Sequence, residues 1–321
     1  MSEGPEIVTL QDESTGDSVS LMVSQGFNCF RWERGEGSAR IDALWARPGH
    51  ESGTERASSG GIPILFPFPG RLPGTTFDWL GKTYELEPFD ALGNAIHGFV
   101  FTRRWRSVVV ETNRCTAEFQ ASIDDPGLLP RWPSDFRIVA TYRLRGDTLR
   151  FECEVTNLGP NPMPFGLGLH PYFRVGIFGG AAAEDRVTAE VGHRWLLEQM
   201  RPTGKREPEP FGLASGAPFG GLTLDDVFDH EPAFENLDSP PETLRVAKIE
   251  GPNGRMEIRY DVDYPFAVLY TPPHREAICI EPYTCLPGSI PKGEKGAATG
   301  LRILSAGDRW TTAVEYRWVS G

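Results

Sequence analysis

The chain of 321 residues has little cysteine. Cys29, Cys115, Cys153, Cys279 and Cys285 are scattered, without a C-x-x-C pair. An odd count at that density argues against a disulfide framework and against a structural zinc site. Long hydrophobic runs are missing as well. No stretch of about 18 apolar residues is present, so no membrane-spanning helix is expected. The segment MSEGPEIVTLQDESTGDS is polar and acidic. It has neither the basic nor the apolar region of a secretory signal peptide. Positive charge is in deficit: 32 Lys and Arg against 44 Asp and Glu give a net charge of -12. Such a surface repels phosphate backbones and anionic lipid, so a neutral substrate fits better than nucleic acid or a membrane surface. The expectation is a soluble, reduced, cytoplasmic protein. Neither G-x-S-x-G nor G-x-x-x-x-G-K-[ST] occurs, so a nucleophile-elbow hydrolase and a P-loop are both unsupported.

What the chain does contain is 39% hydrophobic and 11% aromatic residues, enough for a packed core, with 36 Gly and 28 Pro spread throughout. Period-2 segments dominate. Trp310, Thr312, Val314, Tyr316 and Trp318 alternate with other residues after a Gly307-Asp308 turn. Ile138 to Leu144 and Leu149 to Val155 flank Arg145-Gly146-Asp147-Thr148 and read as a hairpin. Leu244 to Ile249 and Met256 to Tyr260 flank a second turn, Gly251 to Gly254. Phe266 to Tyr270 and Ala277 to Ile280 are apolar runs separated by a Pro-Pro loop. Many short strands between turn residues indicate an all-β fold, a sandwich or barrel. One helical candidate is Glu184 to Leu197. Residues 40–60 and 200–220, rich in Gly, Ser, Pro and charge, read as surface loops around a site. With no repeat and no low-complexity linker, residues 1–321 are expected to form a single domain.

Four segments hold residues capable of chemistry. In GGIPILFPFPGRL, Arg71 follows a stiff Pro/Gly run and can aim a forked donor at ligand oxygens. In NAIHGFV, His97 precedes a glycine that permits close approach, at what reads as a strand start. In GLGLHPYFRV, His170 stands beside Tyr172 and Phe173, aromatic surface that suits the apolar face of a sugar. In CIEPYT, Glu281 follows the apolar run to Ile280 and reads as the end of a buried strand, where a carboxylate is costly unless paired or used. Taken singly, the arginine reads as a surface residue and each histidine as a satisfied core residue. Two histidines and a glutamate also make a formal metal set. The long spacings, with no H-x-H or H-x-x-x-H, argue against it.

Together these segments resemble the aldose 1-epimerase (galactose mutarotase) family. GGIPILFPFPGRL, NAIHGFV, TNLGPNPMPFGLGLHPYF, LDDVF (Leu224 to Phe228) and ICIEPYT occur in the family's order and cover nearly the whole chain. The resemblance implies a large antiparallel β-sandwich of the galactose mutarotase-like type, with the site in an open cleft. It implies interconversion of the α and β anomers of a free hexose, with no metal and no organic cofactor. By matching motif, Glu281 is the base on the C1 hydroxyl and His170 the acid at the ring oxygen. His97 assists there, and Arg71 and Asp225 hold hydroxyls, with Tyr172 part of the wall. Asp225 is preferred to Asp226 and Asp229 because it lies three residues before Phe228. The stretch CLPGSIPKGEKGAATG departs from the family's usual loop after the glutamate. The implied partner is a small-molecule sugar, with neither nucleic acid nor membrane, in a monomer or homodimer.

Two other readings stand beside this one. A hexose-6-phosphate 1-epimerase on the same fold needs cations for the phosphate, and Arg103, Arg104 and Arg106 are candidates, although a solvated strand face is the preferred account of them. A non-catalytic sugar-binding module is favoured by loss of His170 or Glu281, and both are present.

Overall fold

The alternating pattern of residues 136–157 sets the architecture. Along Phe136–Arg145 and Thr148–Asn157 every second side chain is buried, so Phe136, Ile138, Leu144, Leu149, Phe151 and Val155 face inward and Arg, Glu and Thr face out. That is the period of a strand with one buried face. The two strands pair from Phe136↔Asn157 to Arg145↔Thr148. The connection therefore tightens to two residues, Gly146 and Asp147, with Gly146 supplying the positive φ of 57° that such a loop needs. In the computed structural model, which describes residues 4–35, 40–230, 244–290 and 299–321, this hairpin lies inside a nine-stranded antiparallel sheet. The C-terminal strand Arg309–Ser320 pairs with Thr148–Asn157 on one side and with Gly254–Tyr260 on the other.

A second sheet of seven strands in one path runs Arg201–Pro208, His193–Glu198, Asp225–Asp229, Phe266–Tyr270, Ala277–Tyr283, Gly168–Leu169, Ile64–Leu65. Tyr172–Arg174 pairs with Ala277–Tyr283 off that path, as an eighth strand. The main core runs through residues of both sheets, from Leu10 to Trp318, with Trp32, Trp105, Trp132, Tyr142 and Tyr316 fully buried in it. The fold is the expected large antiparallel β architecture. All five cysteines are buried and free. No helix among the described residues is long and apolar enough to cross a membrane.

Three expectations are corrected. Glu184 to Leu197 is not a helix: Arg186–Ala189 joins the nine-stranded sheet and His193–Glu198 the other. Val187 and Ala189 are buried with exposed or half-buried neighbours between them, a period of two that overrides weak helical propensity, and Gly192 separates the two strands. Residues 200–220 are not wholly loop, because Arg201–Pro208 is an edge strand paired with His193–Glu198. Glu281 does not end its strand, which continues through Tyr283.

Candidate active site

The strand Ala277–Tyr283 is buried along its whole length. Its register explains what surrounds Glu281. One cross-strand row reads Asp225, Tyr270, Cys279, Tyr172. The next reads Val227, Val268, Glu281, and the one after it Asp229, Phe266, Tyr283, Gly168. Successive rows lie two residues apart, so side chains of all three rows share one face of the sheet. Four strands distant in sequence thereby bring Asp225, Tyr270, Tyr172 and Glu281 to the wall of a cavity of about 400 Å³.

Arg71, His97 and His170 complete that wall, so all six residues singled out from the sequence line the same cavity. His170 follows the two-residue strand Gly168–Leu169, and its backbone N–H donates to the Pro63 carbonyl at 3.1 Å. His97 comes just after the strand Ala95–Ile96 rather than opening one, in the left-handed region at φ 65°. Strain of that kind in a non-glycine residue costs on the order of 1–3 kcal/mol and clusters at functional sites. The neighbour Gly98 cannot be replaced without disturbance: a Cβ there falls 2.1 Å from the Phe66 carbonyl oxygen.

The hydrogen bonds fix proton positions. Gly70 N–H donates to His97 Nδ1 at 3.3 Å, which leaves the ring proton on Nε2. Burial, then the nearness of the His170 ring and the positive charge of Arg71 and Arg56, holds His97 well below the usual histidine range, so the ring is neutral. Glu281 is 1% exposed. The Tyr283 hydroxyl donates to its Oε2 at 2.8 Å, and His170 Nε2 lies 3.3 Å from its Oε1. Burial pushes the Glu281 carboxyl well above the ordinary carboxylate range, against the lowering pull of Tyr283 and with a further push from Asp225. Burial lowers His170 to about 3. Its ring stacks on Tyr172 at 4.7 Å and 4°, and its Nδ1 has no hydrogen-bond partner.

The remaining residues divide cleanly. The Arg71 Nε donates to Asp90 Oδ2 at 2.9 Å, which steadies the side chain while its Nη groups stay available to the cavity. Asp226 lies 3.4 Å from Arg194, and Asp229 is fully buried on Trp195 Nε1 at 3.1 Å and Arg206 at 3.0 Å. Of the three aspartates, only Asp225 lines the cavity. Arg103, Arg104 and Arg106 lie outside its wall, on Asp125, Glu6 and the pair Asp124 and Glu118. Of the departing stretch after Thr284, Pro287 reaches the cavity, and residues 291–298 lie outside the described residues.

Several wall residues escaped the sequence reading: Trp45, Arg56, Tyr270, His274 and Tyr283. Tyr283 had a usable signal, since it stands two residues after Glu281 and a strand puts both on one face. Trp45 and Arg56 fall inside the region 40–60 that was expected to surround a site. Cys279 was also missed as a possible ligand: its Sγ, a His170 nitrogen and a Glu281 oxygen lie within 4.8 Å of one another.

A large antiparallel β fold with a buried Glu281–His170 pair in a cavity wall defines the class of structure, and solved structures share that fold. The chain is similar in structure to a galactose mutarotase-like protein from Clostridium acetobutylicum, with a TM-score of 0.82, 21% identity and 99% of each chain covered. The Slr1438 protein of Synechocystis sp. PCC 6803 gives a TM-score of 0.76 at 23% identity, over 100% of this chain and 99% of that one. In sequence it is 24% identical to the YphB protein of Escherichia coli over 288 residues, 88% of this chain and 91% of that protein. It is 28% identical to the plasmid-encoded LacX protein of Lactococcus lactis over 246 residues, 73% and 77% of the two chains. The profile of the family described as aldose 1-epimerase matches residues 39–317, and the chain belongs to that family.

Proposed function

We propose that the protein is a mutarotase, an isomerase that interconverts the α and β anomers of a free hexose by acid–base ring opening and closure. The observation that carries this reading is the buried Glu281–His170 pair at 3.3 Å, in a cavity wall shared with Arg71 and Asp225. Opening the ring takes a proton from the C1 hydroxyl and gives one to the ring oxygen. The O1 electron pair forms the carbonyl as the bond from C1 to the ring oxygen breaks. The C1–C2 bond turns, and closure reverses the two transfers.

Glu281 serves as the base and His170 as the acid, with His97 donating from Nε2 to the ring oxygen or to O1. Arg71 and Asp225 orient the hydroxyls, and Tyr172 offers an apolar wall. In this scheme the cyclic sugar faces a carboxylate and an imidazolium. The open aldehyde faces a carboxylic acid and a neutral imidazole. Both states have zero net charge, but burial disfavours the first, because two ions in a low dielectric lose more solvation than two neutral groups. The directions in which burial moves Glu281 and His170 therefore both favour the proton arrangement that accompanies ring opening. Closure then follows by return of the same two protons.

A free sugar is the substrate favoured by charge. Of the cavity arginines, Arg71 is engaged by Asp90 and Arg47 by Glu55, at 2.9 and 3.6 Å. Arg56, which lies over the Phe89 ring at 4.9 Å, is a described cavity residue that favours a sugar phosphate. Polarimetry of freshly dissolved α-glucose, α-galactose and their 6-phosphates tests the reading. Acceleration is expected with a free hexose and its loss in Glu281→Ala and His170→Ala, each checked for fold by circular dichroism. Wild-type rates in either variant refute the roles. No acceleration with any of these sugars refutes the activity and favours a binding module.

A further inference from the structure

Cys279 takes no part in the acid–base scheme, yet it stands directly beside it. It is two residues before Glu281 on the same face of the strand, and opposite Tyr172 in the register. His170, Cys279 and Glu281 are 8%, 0% and 1% exposed. One ligand atom from each lies within 4.8 Å of the others. An imidazole nitrogen, a thiol sulfur and a carboxylate oxygen are the donor set of a borderline-soft divalent ion, whereas Mg²⁺ and Ca²⁺ prefer oxygen alone. His170 and Glu281 line the cavity and Cys279 is buried beside them, so a three-ligand ion here would keep a side toward the cavity, as an exchangeable zinc site does and a closed structural one does not.

The geometry is near what such an ion needs. Tetrahedral bonds of about 2.0–2.3 Å place ligand atoms roughly 3.3–3.5 Å apart. The His170–Glu281 separation is already 3.3 Å. The other two pairs have no more than about 1.3 Å to close from the 4.8 Å limit, a movement within reach of side-chain rotation.

We propose that His170, Cys279 and Glu281 form a three-ligand site at which a thiophilic divalent transition-metal ion such as Zn²⁺ binds in exchange with sugar, with a water in the fourth position. The ion would take Cys279 as its thiolate and Glu281 as its carboxylate. Metal and sugar exclude one another, a consequence that rests on the acid–base reading above. With Glu281 and His170 ligated, neither can accept or deliver the proton that ring opening requires.

Co²⁺ titrated into the chelator-treated full-length protein tests the site without reference to activity. One equivalent is expected to bind, with a thiolate-to-cobalt charge-transfer band that Zn²⁺ abolishes and that is missing in Cys279→Ala. Cys279→Ser, closer in volume, repeats the test should the alanine variant unfold. Absence of the band in the wild type, or its persistence in both variants, overturns the site. In polarimetry with a free hexose, Zn²⁺ is expected to inhibit competitively, and the Cys279 variants to need at least about tenfold more Zn²⁺ for the same inhibition. A Cys279-dependent cobalt band without inhibition by Zn²⁺ overturns the exclusion of sugar. If the wild type accelerates no sugar, the acid–base reading fails while the cobalt experiment still decides the metal site.

Discussion

Replacing Glu281 by Gln keeps the shape of the side chain and both hydrogen-bonding directions, but removes the exchangeable proton. The amide oxygen can still accept from Tyr283, and the amide nitrogen can donate to His170, so the cavity wall has no reason to collapse. A positioned acid or base supplies roughly 10²–10⁴-fold in rate. At about 1.36 kcal/mol per factor of ten, the loss is about 2.7–5.4 kcal/mol of barrier. Stability moves the other way. The folded-state pKa of Glu281 is raised well above the ordinary value of 4.5, so above pH 4.5 the folded chain holds a proton that the unfolded chain has lost. From that pH up to its folded pKa, Glu281 makes stability fall by about 1.36 kcal/mol per pH unit. His170 has the opposite sign: its folded pKa is lowered from 6.5 to about 3, so stability falls as pH drops through that interval. Above pH 4.5 the two slopes oppose one another, until pH passes either 6.5 or the folded pKa of Glu281. Glu281→Gln is therefore expected to be nearly inactive by polarimetry, yet more stable than wild type in urea at pH 8, with little difference at pH 4.5. Retention of more than a tenth of the activity removes Glu281 from the role of base. An unchanged urea midpoint at pH 8 refutes the burial argument itself.

Tyr283→Phe deletes the hydroxyl that donates to Glu281 Oε2 at 2.8 Å, so the carboxyl is expected to rise further and the acid limb of the pH–rate profile to move to higher pH. An acid limb that stays in place would falsify that coupling. Arg71→Lys removes the planar fork and the Nε bond to Asp90, and KM for the hexose is expected to rise several-fold while kcat changes little. Steady-state polarimetry at varied sugar concentration separates the two, and an unaffected KM would place Arg71 outside the sugar contacts. Gly98→Ala puts a Cβ 2.1 Å from the Phe66 carbonyl oxygen at a residue with φ 73°, so a loss of at least about 2 kcal/mol is expected, read from urea unfolding. A variant within experimental error of wild type contradicts the close approach.

The strands and the site were legible in the sequence to different depths. Period-2 burial exposed the hairpin of residues 136–157 and the C-terminal strand, because a one-sided strand writes its geometry directly into hydrophobicity. It failed at residues 184–197, where short strands in two different sheets share a sequence too brief and too mixed to show a period. For the site, residues such as Arg71, His97, His170 and Glu281 were visible as polar groups in Pro, Gly or apolar surroundings, and their order matched a family pattern. Trp45, Arg56, Tyr270, His274 and Cys279 were not, because what makes them part of the site is not a property of their local sequence. It is the pairing of Ala277–Tyr283 with Phe266–Tyr270 and Tyr172–Arg174.

That pairing also explains why the proposed chemistry depends on a strand rather than a loop. Side chains alternate across a sheet with a period of two, so a slip of one residue in Ala277–Tyr283 turns Cys279, Glu281 and Tyr283 together to the opposite face. The apolar residues Ile278 and Ile280, 0% exposed in the main core, oppose such a slip because it would carry them into the polar cavity. Core packing on one face therefore fixes the register that places the carboxylate on the other. The same burial that locks the strand strips water from Glu281 and His170 and shifts both toward their neutral forms. Weakening the core beneath the strand should then loosen the register and wet the pair. It should erode activity before it unfolds the chain, because the acid–base pair depends on a dry, aligned wall whereas the nine-stranded sheet does not.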